Sequence, residues 1–129
     1  MTMTRKGYAR ENELVHMLWD AGFAALRAPS SGSSTPLPMP DIIAGNGSKY
    51  LAIEAKAKRS DYIYLGEEEV QNLIEFAERF GATPVVGARF FRTDWVFFYP
   101  DQMHRTGTGK YKIDRKDVDH GLSFEELTR

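Results

Sequence analysis

Asp41 follows Pro40 and opens the apolar run Ile42-Ile43-Ala44; thirteen residues after it stands Glu54, in the run Glu54-Ala55-Lys56. Two carboxylates and an ammonium presented on neighbouring strands are the minimum equipment for cutting a phosphodiester with a divalent metal. The same residues could equally start a strand and decorate a solvated sheet face. Their meaning therefore depends on the elements that position them.

Between the two runs lies Gly45-Asn46-Gly47-Ser48, and Asn-Gly flanked by apolar residues is a strong hairpin signal. A loop symmetric about Asn46-Gly47 puts Asp41 opposite Ala52, with Glu54 as its diagonal neighbour on the same face. Diagonal residues lie roughly 7 Å apart, a separation across which two carboxylates can converge on one Mg²⁺. Side chains alternate along a strand, so Glu54, Lys56 and Lys58 share the chemical face, while Leu51, Ile53, Ala55 and Ala57 point the other way.

The segment 8–20 carries Leu14, Val15 and Leu18 at helical spacing, with Ala21-Gly22 as a stop. On that wheel Glu11 falls inside the apolar stripe, and a carboxylate is seldom buried without a partner. A metal or a basic group beneath the helix resolves the conflict; a first-turn acid favoured by the helix dipole is the plainer alternative. Glu13, at the stripe's edge, reads as ordinary surface charge. The stretch 29–40 is rich in Ser, Pro and Gly and leads straight into Asp41. It reads as a mobile loop whose hydroxyls reach phosphate or support the metal, or simply as a linker.

These residues, together with Arg5-Lys6-Gly7, Gly22-Phe23, Arg27-Ala28-Pro29, Ser31-Gly32-Ser33, Leu73-Ile74-Glu75-Phe76 and Arg79-Phe80-Gly81, resemble the archaeal Holliday-junction resolvase (Hjc) family of PD-(D/E)xK nucleases. The resemblance runs from about Arg5 to Pro100 and weakens beyond. It implies that Asp41 and Glu54 bind Mg²⁺, or Mn²⁺ as a substitute, with the backbone carbonyl of Ala55, and that Glu11 completes the acidic cluster. Lys56 then orients or activates the attacking water, and Ser31 assists cleavage. Arg5, Lys6, Arg10, Arg27, Lys58 and Arg59 correspond less closely to a DNA-contacting surface, and the family's basic residues within the serine loop are missing from this chain. Also implied are a cytoplasmic archaeal protein, nucleoid-associated during recombination, and a homodimer whose paired sites cut opposing strands of a four-way junction.

The single domain expected from 129 residues has 42% apolar residues and no cysteine, which rules out disulfides and thiolate chemistry. No apolar run approaches the ~20 residues of a membrane span, and the N-terminus lacks a signal-peptide apolar region, so a cytosolic protein is expected. Asn and Gln are scarce, which points to a thermophile. The net charge of −1 argues against a generic nucleic-acid binder, but residues 1–66 carry a net +2 (eight bases, six acids) and 67–129 a net −3 (nine bases, twelve acids). Metal bound at the N-terminal acids makes that half more positive still.

The remaining elements read as scaffold: strands at 23–27, 41–44, 50–58, 83–91 and 95–99, a helix at 67–80 opened by three acids and closed by Gly81, and a short capped helix at 123–127. The expected fold is α/β and restriction-endonuclease-like, a central mixed five-stranded sheet flanked by helices, with the tail 101–129 less defined. On the helix 67–80, Leu73, Phe76 and Phe80 form a second apolar row, which fits a partner subunit or a wide core-facing stripe. Tyr62 and Tyr64, placed in a loop after Lys58-Arg59, are candidates to reach DNA; Phe90, Phe91, Trp95, Phe97 and Phe98 fit a core better. Other readings are a nuclease of the same superfamily acting on linear, branched or damaged DNA, and a junction-binding protein without activity.

Overall fold

The structure is a computed structural model that describes residues 5–29 and 36–129, with side chains of the first helix described from Ala9 onward. Ser31 and the side chains of Arg5 and Lys6 lie outside the described residues. Helix α1 (Arg5–Asp20) is followed by strands β1 (Ala24–Arg27), β2 (Ile42–Gly45), β3 (Tyr50–Lys58) and β4 (Tyr62–Leu65). Helix α2 (Glu67–Phe80) then leads to β5 (Thr83–Phe90) and β6 (Val96–Phe98). The C-terminal part supplies β7 (His104–Arg105), β8 (Tyr111–Asp114), β9 (Leu122–Ser123) and α3 (Phe124–Thr128).

Both long helices stop at a glycine in the left-handed region that other residues avoid. Gly22 (φ +94°) lets Phe23 N–H reach back to Leu18 O at 2.9 Å, and Gly81 (φ +87°) lets Ala82 N–H reach Ala77 O at 2.9 Å.

The main sheet has six strands in the order β1-β2-β3-β5-β6-β9, one more than expected. The additional strand comes from the tail, where Leu122 and Ser123 pair with Phe97 and Val96. All pairings are antiparallel except β3 with β5, which are joined through α2. A second sheet, β4-β8-β7, packs on the α2 side and takes in Tyr62 and Tyr64, which are therefore strand residues and not loop. The tail is integral to the fold: Met103, Tyr111, Ile113 and Leu127 are all buried.

Alternation along β3 divides the core into two layers. Leu51, Ile53 and Ala55 face Leu14 and Leu18 of α1, while Ala52 faces Val70, Leu73 and Ala77 of α2. Leu73, expected in the partner-facing row, is 1% exposed and belongs to the core stripe of α2. Phe80 does stand outside, 54% exposed and stacked on half-buried Phe76 with ring centroids 5.3 Å apart.

The β2–β3 register differs from the symmetric turn. Gly45 pairs with Tyr50 and Ile42 with Ile53, because Asn46 Oδ1 accepts the N–H of Ser48 (2.8 Å) and of Lys49 (2.6 Å) and so widens the loop to residues 46–49. The shift is two in the sum of paired residue numbers, so face parity survives and Glu54 comes beside Asp41 instead of diagonal to it. The nine residues of β3 outrun the four of β2. Beyond the Ile42–Ile53 pair this leaves a notch in the sheet.

Candidate active site

Asp41 turns into that notch. Its N–H donates to Ile53 O (3.1 Å), and its Oδ2 accepts the N–H of Ala55 (2.9 Å), so the side chain stands in for the next rung of the ladder. Glu54 lies alongside, and the two carboxyls hydrogen-bond each other. Two acids in such contact cannot both ionise freely. Burial raises the pKa of both groups, and for Glu54 the charge of Asp41 adds to it, so the pair holds a proton when no cation is present. Ionisation of both acids at neutral pH thus requires a positive charge at the site.

The two helices approach the notch from opposite faces. Glu11, at 6% exposure the one buried charged residue among the described residues, resolves its conflict through a base: Arg27 Nε lies 3.2 Å from its Oε1. Burial and the nearby charge of Asp41 still push Glu11 up to about 7, against the pull of Arg27. Arg27, expected on the DNA surface, is thus engaged with the acid of α1.

From the other face Glu69, in the first turn of α2, holds Lys56 with Oε1 2.8 Å from Nζ. Burial draws the pKa of Lys56 down, but the hydrogen bond and charge of Glu69 outweigh it and hold the ammonium above its usual range. In the sequence Glu69 looks like one of three acids that favour the start of the helix. The spacing signal is Glu at the third position after a capping residue, hidden here because the cap is Gly66.

The Asp41–Glu54 pair could hold a divalent cation, since two adjacent, part-buried carboxyls concentrate negative charge that water only partly disperses. Among the described residues no set of three acidic or histidine side chains converges as a metal cage. Two carboxylates and a carbonyl, with water completing the shell, suit Mg²⁺, which dehydrates reluctantly.

Of the expected DNA-facing residues, Arg10, Lys58 and Arg59 come together with Arg89, Phe91 and Arg92 around a cleft of about 250 Å³. Arg59 sits 3.9 Å and Arg92 5.1 Å from the centroid of the Phe91 ring. Arg92 holds φ +65° in the tight β5–β6 turn. Glu13 is not ordinary surface charge. It pairs with Arg89, accepts from Arg10 Nη1 at 3.0 Å and from Trp95 Nε1 at 3.2 Å, and so braces two arginines of the cleft. Burial would raise the pKa of Glu13, but Arg89 and Trp95 outweigh it and keep the carboxylate below its usual range. Arg89 and Arg92 were missed because only the β5 register, Ala57 beside Arg89 and Lys58 beside Phe90, brings them to the basic end of β3. Tyr64 is 48% exposed on β4, with Tyr62 as its ring neighbour at 6.3 Å.

A sequence profile of the family described as archaeal Holliday junction resolvase (Hjc) matches residues 2–129. Over 125 residues the chain is 44% identical to the crossover junction endodeoxyribonuclease Hjc of Archaeoglobus fulgidus, an alignment covering 97% of this chain and 90% of that protein. The protein of the same name from Sulfolobus acidocaldarius is 35% identical over 130 residues, covering 100% of this chain and 90% of the relative. The solved structure of Archaeoglobus fulgidus Hjc, described as a Holliday junction resolvase from an archaeal hyperthermophile, superposes with a TM-score of 0.85 at 40% identity, covering 92% of this chain and 97% of that one.

Proposed function

Because the chain belongs to the archaeal Holliday junction resolvase (Hjc) family, we propose that it is an endodeoxyribonuclease that resolves four-way DNA junctions by paired, metal-dependent hydrolysis in opposing strands. The observation that carries the chemistry is the part-buried Asp41–Glu54 pair with Lys56 two residues further along β3. Asp41, Glu54 and the Ala55 carbonyl would hold Mg²⁺, with Mn²⁺ as a substitute. When bound, the ion supplies a water of lowered pKa and neutralises charge at the phosphoryl oxygens.

The protein's own groups do the rest. Lys56 places its ammonium where charge grows on the phosphate or the attacking water. Arg10, Lys58, Arg59, Arg89 and Arg92 hold the strand by its backbone, a sequence-independent contact suited to recognising DNA by shape. Glu11 and Arg27 brace the notch from the α1 side.

Paired incision requires two sites in fixed relation, which a homodimer supplies by symmetry. Phe80 lines an apolar groove with Trp19, Leu26 and Tyr50, each at least 42% exposed. This surface supports an isologous contact. No helix among the described residues is long and apolar enough to cross a membrane, and we place the protein with chromosomal DNA in the cytoplasm.

The test uses end-labelled four-way junction and a linear duplex of matching sequence, each with Mg²⁺ or with EDTA. Symmetric nicks in the junction alone, dependent on Mg²⁺ and lost in Asp41→Asn while binding persists, are the expected result. Equal cutting of the duplex would make the enzyme a general nuclease of the superfamily, tight binding without cutting would make it a junction-binding protein, and activity retained by Asp41→Asn would overturn the site.

A further inference from the structure

Lys56 is poorly supported by the sheet that carries it. On β5 its parallel partner is Ala88, a single methyl, and on the other side the β2 ladder has already stopped at the Ile42–Ile53 pair. With so little beside it on the sheet itself, a four-carbon stem leaves its ammonium many rotamers unless the head is anchored. One strong contact fixes the ammonium, the 2.8 Å ion pair with Glu69.

Glu69 is in turn fixed at its other oxygen. Its Oε2 accepts the N–H of Gly66 at 3.2 Å, so one carboxylate spans the start of α2 and the ammonium of Lys56. The Glu69 side chain is 40% exposed and that of Lys56 27%. An ion pair so open to solvent adds little to stability. Its consequence is positional, because Nζ is anchored through one proton and two remain for a phosphate oxygen and a water.

We propose that Glu69 is a positioning residue of the cleavage site, tethering the Lys56 ammonium to the first turn of α2 and so aiming it at the Asp41–Glu54 notch. The proposal rests on the nuclease reading given above. It also assigns a role to the parallel β3–α2–β5 unit, since the helix that covers one face of the sheet delivers the anchor for a side chain of the strand.

The test separates the tether from the helix cap. In Glu69→Ala both contacts go; the single-turnover rate on a saturating four-way junction is expected to fall about tenfold, the scale of a misaimed catalytic group, while junction affinity is no weaker than wild type. Gly66 has φ −69°, and a Cβ built there meets only Glu69 Oε2 at 3.9 Å, so serine is accommodated as a capping residue. Adding Gly66→Ser to Glu69→Ala should restore Tm and leave the rate low. Glu69→Gln keeps an acceptor oxygen and should lie between wild type and Glu69→Ala in rate.

A readout independent of cutting is the ¹H–¹⁵N correlation of the Lys56 ammonium, visible when an ion pair slows its exchange with water. It should be present in the wild type and lost in Glu69→Ala. Wild-type cleavage by Glu69→Ala, full recovery of rate with Gly66→Ser, or an unchanged Lys56 signal would overturn the proposal. Failure of the wild type to cut a junction would instead sink the nuclease reading, and the ammonium signal would still report on the tether.

Discussion

The notch and the arginine cleft both gather like charges, and they manage them in opposite ways. In the notch Asp41 and Glu54 stand together, part-buried and hydrogen-bonded to each other, and burial raises the pKa of both. In the cleft the cations are interleaved: Arg10 and Arg89 flank Glu13, and Arg59 and Arg92 flank the ring of Phe91. Guanidinium groups do not deprotonate in proteins, so the cleft presents standing positive charge to a polyanion. The notch gathers negative charge that a divalent cation would offset. One region is complete before substrate arrives and the other is not.

The sharpest way to break the contrast is to remove one acid of the pair. Glu54→Gln should lower the single-turnover cleavage rate about a thousandfold, the equivalent of several kcal/mol of charge stabilisation. The same substitution should raise the Tm of the metal-free protein at pH 8, because glutamine is neutral without the proton that Glu54 must take up on folding. Loss of activity with loss of Tm would mean that the pair is structural. Removing charge from the cleft should act differently: Arg89→Ala weakens junction binding about tenfold and reduces the slope of log K against log salt by about one, leaving the saturated rate unchanged.

The acids also predict a pH dependence with a definite sign. Glu11, with an ordinary value of 4.5, is raised to about 7 in the folded protein, and Asp41 and Glu54 are raised as well. The folded state therefore binds more protons than the unfolded one. The stability from these groups is fully present below the ordinary carboxyl range and is lost as pH rises through their folded values. Thermal scans without metal should show Tm falling from pH 5 to pH 8, and Mg²⁺ should restore it at pH 8; a Tm that rises over this range would contradict the picture. Phe91→Ala should have the smallest effect, a two- to fivefold weaker junction affinity by titration, since each cation–π contact is worth roughly 0.5–1 kcal/mol where exposed.

What was legible in the chain was local. The helix 67–80 was bounded correctly by its opening acids and by Gly81, and the short C-terminal helix, expected at 123–127, runs Phe124–Thr128 behind the cap Ser123, whose hydroxyl accepts Glu126 N–H at 3.1 Å. The anomaly of Glu11 was visible on a helical wheel, and Arg27 is the basic partner that resolves it. The hairpin was legible in parity but not in register, because the bonds of Asn46 to Ser48 and Lys49 set the loop length and period-two reasoning is blind to a shift of two. Whatever depends on distant pairing stayed hidden. Leu122 and Ser123 joined the sheet unannounced, Arg89 reached the cleft through the β5 register, and Leu73 turned inward where a partner-facing row was expected.

The unequal lengths of β2 and β3 carry a consequence for how such a site could be altered. The proposed reactive position is written as a difference between two strands, four residues against nine, and not as a dedicated insertion. Lengthening the shorter strand by two residues would seal Ala55 N–H into an ordinary rung and expel the Asp41 carboxylate, without touching any acid or base. Activity in this fold is therefore exposed to insertions and deletions near residues 36–41, a kind of change that leaves the inventory of functional side chains intact.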